Sequence, residues 1–178
     1  MGRLGITPNM ISLFGLAGNC LAAWLITQEE LLWAGVVYLV FSALDLVDGA
    51  VARAMGLASP FGAVFDAVLD RTSEALVLAA CGWYFAERGE GIQVGFAYAA
   101  IFGSIAVSYM RARAEVAGLS MRDGLFRRQE RVLLLGAGLV FDALTVVVAM
   151  LAVLANMTAL QRFWMLWRGL RKEAGPPV

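Results

Sequence analysis

Residues 41–71 read FSALDLVDGAVARAMGLASPFGAVFDAVLDR, two apolar stretches that carry four aspartates and are joined by a short breaker. Asp45 and Asp48 lie three apart, and Asp66 and Asp70 four apart. Either spacing places a pair on one face of a helix. Gly56, Ser59 and Pro60 interrupt the chain between the pairs. The turn is centred near Leu57, so Asp48 and Asp66 are equally far from it, as are Asp45 and Asp70 to within a residue. In an antiparallel helical hairpin the four carboxylates therefore converge at similar depth.

The surroundings of this hairpin are those of a membrane protein. Of 178 residues, 61% are hydrophobic and 16% charged, whereas soluble domains average about 45–50% apolar and about 25% charged. A membrane helix needs roughly 20 apolar residues. One is expected from Thr7-Pro8-Asn9, with Thr7 as N-cap and Pro8 in the first turn, to about Thr27. Others should run from Leu31 to about Met55, from Phe61 to about Glu87, and from Ile92 to about Ala117. A single helix from Arg131 to Leu170 would be about 60 Å long, twice the hydrocarbon thickness. It must break, and a tight turn is expected at Asp142, its only interior charge. The fold class is thus all-α, an integral membrane bundle of six transmembrane helices forming one domain over residues 1–178. Met1-Gly2-Arg3 runs into Leu4 without a cleavage site, so no cleaved secretory signal is expected.

Charge sets the orientation. Arg3, Arg53, the run from Arg111 to Arg131, and Arg168, Arg171 and Lys172 all fall on one side of a six-span arrangement. The other side carries Glu29, Glu30, Glu87, Glu90 and Asp142, with Arg88 as its only base. The positive-inside rule puts both termini in the cytoplasm. Five spans would place the C-terminal arginines outside.

Absences narrow the chemistry. The chain has no histidine, which excludes a histidine general base, a Ser-His-Asp triad and His-ligated zinc. Cys20 and Cys81 stand alone in apolar stretches and read as packing residues, without support for a disulfide or a cysteine-rich metal site. Four close carboxylates cannot all stay ionised in a low-dielectric site without cations. Oxygen ligands alone select hard cations, Mg²⁺ or Mn²⁺, two of which can polarise a phosphoryl group. The competing reading is four satisfied polar residues in a bundle core, but intramembrane acids are functional by default. Gly49, Ala52 and Gly62 leave room for a ligand beside the acids, or serve close helix packing. Arg53 can meet a phosphate or snorkel to the surface.

Asp45-x₂-Asp48-Gly49-x₂-Ala52-Arg53-x₈-Gly62-x₃-Asp66-x₃-Asp70 resembles the signature of the CDP-alcohol phosphotransferases at every defining position. The resemblance implies a six-helix fold, usually homodimeric, with a polar cavity open to the cytoplasm. It implies that Asp45, Asp48, Asp66 and Asp70 bind two metal ions and that Asp70 is the general base on the acceptor hydroxyl. Gly49, Ala52, Arg53 and Gly62 would contact the CDP moiety.

A second basic cluster lies at the cytoplasmic ends of the fourth and fifth helices. Arginine forks suit phosphate oxygens, so Arg111, Arg113, Arg128 and Arg131 are expected to hold an anionic acceptor, while Arg122 and Arg127 read as topology charge. The segments Tyr109-Met110-Arg111-Ala112-Arg113-Ala114-Glu115 and Arg127-Arg128-Gln129-Glu130-Arg131 resemble the phosphatidylinositol-phosphate synthase branch of the family and its archaeal counterparts. Arg127 and Gln129 stand where that branch often has Glu and Pro, and Arg162 resembles another of its basic positions. The branch implies transfer from CDP-diacylglycerol or CDP-archaeol to inositol phosphate, with release of CMP. Glycerol phosphate is the rival acceptor, and a divalent-cation or proton transporter the rival class, which would spread its acids along a path.

Overall fold

The computed structural model describes residues 8–54, 59–119 and 126–173, with side chains over 9–44, 59–119 and 126–171. These residues form six helices: α1 Pro8–Thr27, α2 Leu31–Ala54, α3 Pro60–Glu87, α4 Gly91–Val116, α5 Arg128–Val140 and α6 Leu144–Glu173. There is no strand among the described residues. The boundaries of α1 to α4 that lie among the described residues agree with hydropathy to within a residue, α5 opens and α6 closes three residues beyond the expected Arg131–Leu170 stretch, and the break at Asp142 is where it was expected. The expected N-cap Thr7 and the end of α2 at Met55 lie outside the described residues.

Local chemistry fixes these ends. Ser59 opens α3 from an extended conformation, its Oγ accepting the Gly62 N–H at 3.0 Å, and Pro60 follows in the first turn. At the start of α5 the Arg127 N–H donates to Glu130 Oε2 at 2.7 Å. Four helices close with the same motif, a left-handed residue followed by a backbone bond back to the last turn. Glu30 N–H donates to the Leu25 carbonyl at 3.0 Å, Glu90 to Phe85 at 2.9 Å, Leu119 to Ala114 at 2.9 Å and Ala143 to Gly138 at 2.8 Å. The left-handed residues are Glu29, Gly89, Gly118 and Asp142, with φ of 66°, 71°, 77° and 54°. Asp142 is therefore a turn former; aspartate tolerates that region better than most residues.

The principal helix pairings close a ring: α1 on α2, α2 on α5, α5 on α6, α6 on α4, α4 on α3 and α3 on α1. Its core fills one end, with Ile26, Tyr38, Val77, Phe85, Leu135, Leu139, Val148 and Leu151 buried. This is the end of the turns at residues 28–30, 88–90 and 141–143. Arg88 crosses to Glu29 there at 3.0 Å, and Tyr84 lies in the field of Glu29, Glu90 and Asp142.

Small residues let the helices approach. A Cβ on Gly103 would sit 2.9 Å from both Ala155 Cβ and the Asn156 backbone nitrogen. Asn156 Nδ2 clamps the same crossing, donating to the Ala99 carbonyl of α4 at 2.8 Å and to Ala152 at 2.7 Å. Gly103→Val should therefore destabilise the α4–α6 contact by about 1–3 kcal/mol, read as a lower thermal midpoint in detergent.

Large apolar side chains cover the outside: Trp24, Trp33, Trp83, Phe102, Tyr109, Leu160 and Phe163 are exposed. Such a surface suits lipid rather than water. Three described helical segments, Asn9–Thr27, Gly91–Val116 and Leu144–Arg171, are long and apolar enough to cross a membrane. The described apolar segment of α2 is Leu31–Leu44.

Candidate active site

The chemistry gathers at the end of the ring away from the core. Asp66, Asp70 and Glu74 succeed one another at four-residue steps on α3, and so share a face. Asp66 Oδ1 accepts the Ser12 hydroxyl of α1 at 3.0 Å. One turn earlier Gly62 faces the same helix, where an added Cβ would lie 3.0 Å from Ser59 Oγ and 3.3 Å from Asn9 Oδ1. Any larger residue would close that space.

The next two acids meet α5 across the ring. Asp70 Oδ1 is 2.7 Å from an Arg128 Nη2, and Arg71 Nη1 stands 3.9 Å from Asp70 Oδ2. Arg71 Nη1 also donates to the Ala67 carbonyl at 2.6 Å. Glu74 receives a two-pronged contact from Arg131, Nε to Oε1 at 2.6 Å and Nη2 to Oε2 at 3.0 Å. Ser104 of α4 lies beside the same carboxylate. Arg128 and Arg131 are three apart on α5, Asp70 and Glu74 four apart on α3. The two helices are thus joined by two charged rungs in register.

The rungs differ in access. Asp70 and Arg128 side chains are 15% and 23% exposed, Glu74 and Arg131 only 7% and 4%. The open rung can meet a solute; the closed one is part of the protein interior.

Arg162 reaches this end from α6. It is buried, its Nη1 donates to the Val107 carbonyl of α4 at 2.9 Å, and its Nε has no partner among the described residues. Arg111 and Arg131 both lie within its field. Arg111 is exposed and pairs with Glu115 at 3.0 Å. Arg113 is exposed too, but stands about 200° further round α4. Arg127 is exposed at the head of α5. Arg122 lies outside the described residues. Of the basic residues singled out from sequence, the structure gathers Arg111, Arg128, Arg131 and Arg162, and leaves Arg113 apart.

Asp45, Asp48, Gly49, Ala52 and Arg53 belong to the helical span of α2, and their side chains lie outside the described residues. Among the described residues no three acids, cysteines or histidines converge on a common point. The α3 half still has the chemistry of a hard-cation site: carboxylates one turn apart, a hydroxyl on one of them, and no nitrogen or sulfur ligand nearby. A divalent Mg²⁺ or Mn²⁺ fits such donors; zinc or copper does not. Cys20 and Cys81 are free, the first exposed and the second buried.

Sequence reasoning passed over Glu74, Ser12, Asn9 and Ser104. Glu74 had a signal, since it continues the four-residue spacing of Asp66 and Asp70. Ser12 and Asn9 had only their place near the start of an apolar helix.

An all-helical bundle with acids and arginines at one end fits a membrane enzyme that handles phosphates. Residues 5–171 match the CDP-alcohol phosphatidyltransferase family, and the chain belongs to it. It is 33% identical over 165 residues to the archaetidylinositol phosphate synthase of Pyrococcus horikoshii, covering 92% of this chain and 85% of that one. To the phosphatidylinositol phosphate synthase of Mycobacteroides abscessus it is 37% identical over 142 residues, 79% of this chain but only 64% of the relative's length. The crystal structure of the Mycobacterium tuberculosis phosphatidylinositol phosphate synthase with CDP-DAG bound superimposes with a TM-score of 0.85 at 31% identity, covering 93% of this chain and 88% of that one. The same enzyme in complex with manganese and citrate gives a TM-score of 0.83.

Proposed function

We propose that this chain is a multi-pass membrane enzyme that transfers the phosphatidyl-type group of CDP-diacylglycerol, or of CDP-archaeol, to inositol phosphate. The observation that carries the reading is the open Asp70–Arg128 rung, 2.7 Å long, which sets a phosphate-binding fork against a proton acceptor. The acceptor hydroxyl oxygen forms a bond to the lipid-side phosphorus of the CDP-alcohol, the bond from that phosphorus to the CMP oxygen breaks, and CMP leaves. The hydroxyl proton passes to Asp70. Arg128, Arg162 and Arg111 take the acceptor's own phosphate, with Arg113 adding charge at the mouth. Gly49, Ala52, Arg53 and Gly62 hold the CDP moiety.

Asp45, Asp48, Asp66 and Asp70 would hold two divalent cations, Mg²⁺ or Mn²⁺. Bound there, the cations supply charge neutralisation for the diphosphate and for the departing CMP. All six helices traverse the bilayer in this reading. At 13 residues α5 is about 20 Å long, the shortest of the six, and at 30 residues α6 is about 45 Å, the longest. The polar cavity opens to the cytoplasm, where both termini lie, and the apolar core seals the opposite end. That seal argues against a cation or proton transporter, which needs a path through. Residues 1–178 form one domain, and the enzyme acts as a homodimer in the cell membrane.

The test is CMP release from CDP-diacylglycerol by the purified protein with inositol phosphate, glycerol phosphate and free inositol as acceptors. Inositol phosphate should be used best. Equal use of free inositol would remove the need for the arginines, and preference for glycerol phosphate would change the acceptor. Arg128→Ala should raise the acceptor KM and cut kcat/KM roughly ten- to a hundredfold, the worth of a charge-assisted hydrogen bond. The KM for CDP-diacylglycerol should hold. Arg122→Ala is the control and should be nearly silent; equal effects at the two positions would reduce the cluster to a diffuse field.

A further inference from the structure

We propose that the outer face of the last turns of α6 binds an anionic phospholipid of the surrounding bilayer, with the lipid phosphate on Arg168 and Arg171. Its chains lie along Leu160, Phe163 and Trp164. The site is separate from the acceptor chemistry and holds whichever acceptor the enzyme uses. At about 100° per residue, α6 has two distinct sides in this region. Thr158 and Arg162 are buried against the neighbouring helices, and Arg171 follows Arg162 by nine residues, which turns it to the opposite side. Leu160, Trp164, Trp167 and Arg171 succeed one another at steps of four, three and four, so they form one stripe on that side. All four are exposed. Toward the C-terminus the stripe passes from aliphatic to aromatic to cationic, the order in which a leaflet passes from chains to headgroups.

The charges on this stripe are held in place but not neutralised. The Arg171 guanidinium carbon lies 4.2 Å from the centre of the Trp167 ring, and that of Arg168 lies 5.9 Å from the centre of Trp164. The two indoles pack on each other at 5.1 Å. A guanidinium over a ring face keeps N–H groups for phosphate oxygens. No acid occurs in α6 before Glu173, and among the described residues no carboxylate pairs with either arginine. The other side of the same turn is anchored. A Cβ on Gly169 would lie 2.8 Å from Leu119 Cδ1, so the residue that closes α4 packs directly on the α6 backbone. A soluble anion would gain nothing from the apolar half of the stripe. A zwitterionic lipid brings its own cation to the phosphate, whereas a lipid with a net negative headgroup satisfies both halves. Near a membrane surface each basic residue favours such a lipid by roughly fivefold.

The distribution of the five tryptophans makes the test local. Trp24, Trp33 and Trp83 lie toward the opposite end of the bundle, near the turns at 28–30 and 88–90. Trp24→Phe/Trp33→Phe/Trp83→Phe therefore leaves emission from Trp164 and Trp167 alone. This protein is placed in nanodiscs of equal parts phosphatidylcholine and phosphatidylglycerol, with bromine, a quencher of indole emission, on the chains of one lipid or the other. Brominated phosphatidylglycerol should quench more strongly, with a preference of roughly five- to twentyfold from the two arginines. Adding Arg168→Gln/Arg171→Gln should remove the preference while the helical circular dichroism is unchanged. Equal quenching by the two lipids before that change would overturn the proposal, because the indoles would then only mark the membrane boundary. So would a preference that survives the loss of both arginines. A preference abolished by inorganic phosphate at constant ionic strength would assign the arginines to a soluble anion and overturn it too. If the protein lacking three tryptophans does not fold, the difference between wild type and Trp164→Phe/Trp167→Phe supplies the same signal.

Discussion

Asp70→Asn is expected to lower the rate of CMP formation by roughly 10²–10⁴-fold, the usual worth of a general base, while CDP-diacylglycerol still binds. Asparagine keeps the size of the side chain, and its amide oxygen can accept from Arg128 where the carboxylate oxygen now lies 2.7 Å away. The local geometry therefore survives, and what is lost is the proton acceptor together with one negative charge of the proposed metal-binding set. The chain contains no histidine to take over. Glu74 is the nearest carboxylate on the same face, but Arg131 occupies both its oxygens. Single-turnover CMP release, with CDP-diacylglycerol binding measured in parallel, separates the two effects. A near-normal rate in Asp70→Asn would assign the base elsewhere, and a loss of binding alone would make Asp70 a ligand only.

Much of this architecture was legible in the chain because helices in lipid are long and their ends are chemically marked. Pro8, Ser59-Pro60 and Gly89 punctuate the apolar runs, and Asp142 interrupts a run too long for one crossing. The order in which the helices pack was not legible. Their surfaces are apolar nearly all round, so no stripe distinguishes the side facing a neighbour from the side facing lipid, and the close approach at Gly103 gives no sign in hydropathy. The acids on α3 could be read because spacing alone puts them on one face. The partners of the arginines could not. Arg128 and Arg131 look alike in sequence, and both were expected on the acceptor's phosphate. Only the register of α5 against α3 makes one accessible and commits the other to Glu74.

The same distinction explains why Arg162 and Arg131 are not equivalent although both are buried. Arg131 has a carboxylate across its fork. Arg162 has a backbone carbonyl on one nitrogen and an Nε without a partner among the described residues, with Arg111 and Arg131 adding repulsion. A buried cation in that position is costly until an anion arrives, a condition that the phosphate-bearing acceptor proposed above would meet.

Excess chelator should abolish CMP release, and either Mg²⁺ or Mn²⁺ should restore it. Asp66→Asn and Asp45→Asn should each weaken metal binding as well as turnover, one from α3 and one from α2. Asp66 is the better-defined case, because Ser12 donates to its Oδ1 at 3.0 Å and so orients the carboxylate. A hydrogen-bonding partner of a metal ligand is typically worth roughly 10–100-fold in affinity. Ser12→Ala should therefore weaken Mn²⁺ binding by about that factor, and Asp66→Asn by more, since it removes ligand charge as well as orientation. Mn²⁺ titration followed by electron paramagnetic resonance reads affinity without turnover, so loss of metal can be told from loss of chemistry. The ranking is the informative part. Ser12→Ala equal to wild type, with Asp66→Asn impaired, would leave the metal role of Asp66 standing and remove α1 from the site. Full activity in excess chelator would sink the metal site altogether, and the acids would then have to be read as polar residues of the bundle interior.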